Sequence, residues 1–158
     1  MPNGRKFECK TKRKKKMSEV PPILLSAITC DRVIFDKFTG MPSLINIIQN
    51  INAPRYPIQN ILCFFCELTN GHGKTMTKIR LVNTQKEDKP LFEQQGAVEF
   101  RDVQQVVTLA VNLHGVVFPE PGEYRFQLFA DEHLLGERRV ICRKVEAPPR
   151  TEGHSAGS

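Results

Sequence analysis

The chain has 158 residues, of which 40% are hydrophobic and 25% charged, the length and balance of one ordinary globular domain with tails. Its formal net charge of +6 sits almost wholly in residues 1–19, which hold eight basic and two acidic side chains and leave 15 of each sign in the remainder, so a polyanionic partner would be met by the N-terminal segment and not by the domain. No run approaches the roughly 18 consecutive apolar residues of a spanning helix, and the five cysteines, an odd number scattered through apolar stretches, exclude an ordinary disulfide framework and point to a reducing cytoplasm.

Residues 1–21 read as a basic, disordered arm, residues 22–145 as a single domain, and residues 146–158 as a small polar tail with no means of ordering itself. A Lys-rich segment followed by apolar residues 22–30 has the outline of a secretory or lipoprotein signal. The apolar part is only about seven residues, however, at the short limit of such a region, and Ala27 and Thr29 before Cys30 fit a lipidation site poorly. The β-branched and aromatic run over 24–35 reads instead as a first strand. The turn around Gly40 and Pro42 closes it.

Residues 43–52 follow, with Leu44, Ile45, Ile47, Ile48 and Ile51 at spacings that also fit one helix face. Repeated Ile, short length and the closing Pro54 and Pro57 favour a strand. Residues 61–68 are continuously apolar, as in a central strand covered on both sides. Asn70, Gly71, His72 and Gly73 turn the chain into an alternating strand over 75–82, and residues 85–90 form a polar loop. Strands over 91–100 and 106–113 come next, the latter with Val107, Leu109, Val111 and Leu113 on one face. The clearest local signature is Phe118-Pro119-Glu120-Pro121-Gly122-Glu123-Tyr124-Arg125-Phe126-Gln127-Leu128, a turn entering a strand whose Tyr124, Phe126 and Leu128 point inward. A Tyr at this place packs its ring in the core and ties its hydroxyl to a nearby backbone group at the corner of an immunoglobulin-like sandwich. The last strand covers 134–145, with a bulge marked by Gly136. The expected fold is thus all-β, an immunoglobulin-like β-sandwich of about eight strands.

The segments Cys30-Asp31-Arg32-Val33-Ile34, Thr39-Gly40-Met41-Pro42-Ser43-Leu44-Ile45-Asn46-Ile47 and Ala53-Pro54-Arg55-Tyr56-Pro57 together resemble an uncharacterised family of small bacterial proteins, a domain of unknown function. The pattern continues in Val98-Glu99-Phe100, Val111-Asn112-Leu113 and Pro119 to Phe126, so the resemblance spans about residues 22–145. It implies a sandwich-type β-fold in a bacterial cytoplasm and brings no activity, ligand or catalytic residue. Members of that family start shortly before the first strand, which makes Met17 a candidate start. Beginning there removes eight basic residues and Glu8 and leaves a formal charge of −1.

No catalytic, cofactor or metal site is expected. Cys63 and Cys66 have C-x-x-C spacing, but residues three apart in a strand point to opposite faces, so their sulfurs do not converge and buried thiols are the better reading. His72, His114, His133 and His154 fall in expected turns or the tail, and Asp31, Asp36, Asp102 and Asp131 lie at strand ends, where carboxylates mostly bond their own backbone. The expected function is a non-enzymatic cytoplasmic interaction or structural module, partnered by another protein or by a second copy and by no membrane. The loops over 36–42, 52–57 and 70–73 and an open edge strand are its first candidates. Two alternatives remain. One is a nucleic-acid-associated protein using Lys12, Arg13, Lys14, Lys15 and Lys16 as phosphate contacts, provided the arm is translated. The other is an enzyme with a site assembled from strand-end residues.

Overall fold

Short apolar and alternating runs rich in Ile, Val and Phe become strands here because a pleated strand shows successive side chains to opposite faces, one of which two stacked sheets can bury. The computed structural model describes residues 20–86 and 89–149. Nine strands follow one another: β1 (Ile23–Phe35), β2 (Pro42–Ile47), β3 (Asn50–Ala53), β4 (Ile58–Thr69), β5 (Gly73–Asn83), β6 (Phe92–Phe100), β7 (Val107–Phe118), β8 (Gly122–Ala130) and β9 (His133–Lys144). They form one sheet of order β2-β1-β4-β7 and another of order β3-β9-β8-β5-β6. All pairings are antiparallel except the parallel contact of β3 with β9. The neighbours β4 and β7 in one sheet and the run β5, β8 and β9 in the other reproduce the paired and tripled inner strands of an immunoglobulin-like sandwich. The first strand is a strand and no signal-like helix, and among the described residues no helix is long and apolar enough to cross a membrane.

Two expected strands are corrected. Residues 43–52 do not make one strand but two, β2 and β3, in different sheets. Asn46 adopts a positive φ of 52°, and the chain then crosses the open end of the sandwich at Ile48 and Gln49. There the Ile48 amide donates to the Thr29 carbonyl at 2.7 Å, and the Ile141 amide donates to the Gln49 carbonyl at 3.0 Å, so the crossing is bonded to both sheets in turn. The ambiguous Ile spacing reflects this change of sheet, since Ile51 belongs to the core while Ile47 is exposed. The strand expected over 106–113 runs on to Phe118, because Gly115 takes a φ of 76° beside a register shift in β4 and lets a bulge carry the ladder onward. His114 therefore lies within β7 and not in a turn.

The core lies between the sheets, built on fully buried Leu62, Phe64, Leu81, Phe118, Phe126 and Leu128. Phe64 and Phe126 join the sheets with ring centroids 6.0 Å apart, and Phe118 meets Tyr124 edge-on at 5.0 Å. Tyr124 is itself completely buried, and its hydroxyl donates to the Glu120 carbonyl at 2.6 Å, closing the corner between β7 and β8 as the sequence anticipated. Tyr124→Phe removes that donor and leaves a carbonyl short of its partner. The expected loss is about 1–2 kcal/mol of stability in urea unfolding, with the native spectrum kept.

At the entry to β5 the chain presses against the end of β6. A Cβ added to Gly71 would collide with the ring of Phe100, which is buried in the core, so one of the two must shift. Gly71→Ala is expected to cost about 1–3 kcal/mol as an overpacking change, read as a lower Tm. Gly40→Ala meets no atom within 4 Å and acts only through its φ of 69°, so its loss should be smaller, about 1 kcal/mol.

Candidate interaction surface

The strand β1 pairs with β4 from Ile23↔Thr69 to Cys30↔Cys63 and then leaves it. Beyond Cys30 its partner is β2 alone, through Arg32↔Ile45, Val33↔Leu44, Ile34↔Ser43 and Phe35↔Pro42. The result is a two-stranded ribbon extending past the sheet, a form that is marginal in water without other support. Its tip is held by Asp36. One carboxylate oxygen accepts the Phe38 amide at 2.9 Å, the Thr39 amide at 2.7 Å and the Thr39 hydroxyl at 2.9 Å. Two backbone bonds of 2.9 Å, from the Gly40 amide to the Asp36 carbonyl and from the Asp36 amide to the Met41 carbonyl, close the turn. Lower down, Asn46 donates to Asp31 across the ribbon at 2.7 Å.

This fixed turn displays apolar side chains. Phe38 is 93% exposed and Met41 68%, with Ile34 and Phe35 each at 49%. A scattered exposed apolar residue needs no account, but Phe38 and Met41 stand bare together on the tip of one ordered hairpin, with Ile34 and Phe35 on opposite faces of the ribbon behind them, an exposure of the kind that marks an interaction site. The loop over 36–42 was among the sequence candidates, while Phe38 itself was not singled out. The available signal was an aromatic residue inside a Gly-Pro turn. The loop over 52–57 is instead tied inward: the Tyr56 hydroxyl lies 2.9 Å from the Arg143 carbonyl and 3.2 Å from that of Ile51.

The outer face of the five-stranded sheet is of another kind. Arg125 bridges Glu123 and Glu137, each at 3.1 Å, Gln127 donates to Glu137 at 2.7 Å, and Lys78 lies over the Phe129 ring at 5.1 Å. The carboxylate bonds join β8 to β9, and Lys78 of β5 covers the Phe129 ring of β8, so the face presents charged and polar groups to solvent.

The chemically suggestive residues do not assemble. Cys63 pairs across from Cys30 on the outer face, whereas Cys66 sits opposite Ala27 and joins the core, so the two sulfurs of the C-x-x-C sequence are on opposite sides of β4. Burial pushes the Cys63 thiol up to about 11, Cys66 to about 12 and Cys142 to about 11, so all three are neutral thiols at physiological pH and poor nucleophiles. The Cys30 thiol, also raised chiefly by burial, lies 3.8 Å from the Cys63 carbonyl. Asp102 accepts the backbone amide of Gln104 at 2.9 Å and so forms its own turn like Asp36, while Asp131 accepts the Met76 amide of β5 at 3.0 Å and ties the β8–β9 turn to that strand. His72, His114 and His133 are all exposed. Among the described residues no three His, Cys, Asp or Glu side chains gather as a metal site. Lys12, Arg13, Lys14, Lys15 and Lys16, with Met17, Cys9 and His154, lie outside the described residues.

Residues 25–142, which take in every strand from β1 to β9 in whole or in part, match the model of a family of unknown function, DUF6941. The chain belongs to that family. No curated protein matches it. In this DUF6941 chain the apolar hairpin falls inside the matched segment, and so does the whole of β7.

The turn carries a pH dependence whose sign is fixed by its donors. Amide and hydroxyl bonds to the ionised Asp36 carboxylate lower its pKa below the ordinary 3.8, first through Thr39 and then Phe38. A lowered folded-state value means the ordering is fully present above the unfolded pKa and is lost only as pH falls through the lower folded one. The Phe38 and Thr39 amide resonances should therefore hold steady down to about pH 4 and move below it. Movement centred above about pH 5 would contradict the assigned geometry.

Proposed function

We propose that this DUF6941 chain is a non-catalytic protein-interaction module of the reducing cytoplasm, and that the tip of the β1–β2 hairpin is its docking element. The observation that carries the reading is Phe38, 93% exposed on a turn that Asp36 holds with three hydrogen bonds. An aromatic ring held in place loses little conformational freedom on binding, and burying it in an apolar pocket releases the water that now covers it. Aromatic anchors of this kind dominate interface energetics. The fitting partner is a protein with an apolar cleft deep enough for one ring, flanked by polar groups that meet Lys37 and the hairpin backbone. The four buried free thiols among the described residues suit a reducing compartment.

The test compares wild type with Phe38→Ser/Met41→Ser in cross-linking mass spectrometry from native lysate. Both positions are exposed and outside the core, so unfolding free energies should agree within about 0.5 kcal/mol. Partners cross-linked near residues 36–42 should be depleted roughly tenfold or more in the variant, the factor expected when about 1.4 kcal/mol of anchor burial is removed. An unchanged set of cross-links at that tip would overturn the reading.

A further inference from the structure

A four-edged sandwich must keep each edge from pairing with strangers. Three edges here carry such protection. The strand β3 has four residues, and β2 has six, opens at Pro42 and is bent by the positive φ of Asn46. The strand β6 carries Glu93 and Glu99. The fourth edge differs. β7 has 12 residues, pairs with β4 on one side only, and over Val107-Thr108-Leu109-Ala110-Val111-Asn112-Leu113 contains no charge, proline or glycine. Among the described residues no further strand pairs with it. Beside it, between β6 and β7, runs an open groove of about 210 Å³ lined in part by Ile79, Val98, Leu109 and Val111, where side chains of the inner face are only half covered on the β7 side.

We infer that this edge is a self-association site, at which β7 of a second copy pairs antiparallel with β7 about a two-fold axis at Ala110. The register follows from the two faces of the strand. Val107, Leu109, Val111 and Leu113 stand opposite Leu68, Cys66, Phe64 and Leu62 of β4 and so face the core, while Thr108, Ala110 and Asn112 stand opposite Glu67, Phe65 and Cys63 on the outer face. Antiparallel pairing about Ala110 sets Val107 against Leu113 and Leu109 against Val111 of the second copy, core row against core row. It sets Thr108 against Asn112, outer row against outer row. A slip by one residue would put apolar side chains in water, so only registers in steps of two keep the faces matched, and of these the axis at Ala110 pairs the uncharged run 107–113 with itself over its whole length. No like charges meet at any position, and the neutral domain, with 15 basic and 15 acidic side chains after residue 19, has no net charge to oppose a copy of itself. The β6–β7 groove is then covered by the continuing apolar row. Such a contact is isologous and closes as a dimer, joining two four-stranded sheets into one of eight.

Sedimentation velocity on the full chain over a concentration series reads the dimer directly, with two variants that share their substituted positions. T108K/N112K places lysine against lysine across the axis and should raise the dimer Kd by tenfold or more at low salt, whereas T108K/N112E places lysine against glutamate and should keep it near the wild-type value. Amide exchange of residues 107–113 in the wild type, slowing as concentration rises, gives the same answer without substitution and covers the case in which a variant fails to fold. Three results would overturn the inference: a wild-type monomer at every concentration, equal dimerisation by both variants, or equal loss in both with the native fold intact. The Phe38→Ser/Met41→Ser chain should dimerise as wild type, which separates this edge from the hairpin.

Discussion

One end of the sandwich is organised by the point at which β1 exchanges β4 for β2. Cys30 is the junction, facing Cys63 on one side and Ile47 on the other, and it is completely buried. Because β1 turns away there, the next strand cannot continue the first sheet past the hairpin and must cross to the second. The Thr29 carbonyl and the Ile141 amide receive the crossing backbone. The same departure sets β3 beside β9 in a parallel pairing and leaves the hairpin standing beyond the sheet with apolar residues in water.

Polar groups elsewhere are spent on shape. The strand-end carboxylates accept backbone amides, the Arg125 network ties β8 to β9 across their outer face, and the Tyr124 hydroxyl closes a corner. Thiols held neutral by burial contribute packing and no charge. What distinguishes the surface is therefore its uncovered apolar and backbone groups, which is why the functional reading rests on docking.

The hairpin and the β7 edge lie at opposite margins of the same sheet, in the order β2-β1-β4-β7. Joining two copies through β7 leaves both hairpins free at the far ends of the extended sheet. On the proposed dimer, two tips on one platform would bind a repetitive or dimeric partner with greater avidity than either tip alone, provided the spacing of the partner's sites matches.

The strand character of nearly every segment was legible in local pattern, because alternation and β-branched content follow from the pleat itself. The Tyr124 corner was legible for the same reason: its Pro-Gly turn and inward spacing are local. The separation of Cys63 from Cys66 needed only the two-residue period of a strand. The split of 43–52 was not, since the change of sheet depends on Thr29 and Ile141, which are distant in sequence. Nor was the exposure of Phe38, because an aromatic in a turn is buried or bare according to whether another strand passes beneath it. By itself the sequence determined an all-β domain with inward-facing rows and a basic segment set apart from it. Only the tertiary structure decided that β7 ends up at an edge, because an edge is defined by the neighbour a strand lacks, and the apolar run of β7 carries none of the proline or charge that marks β2 and β6.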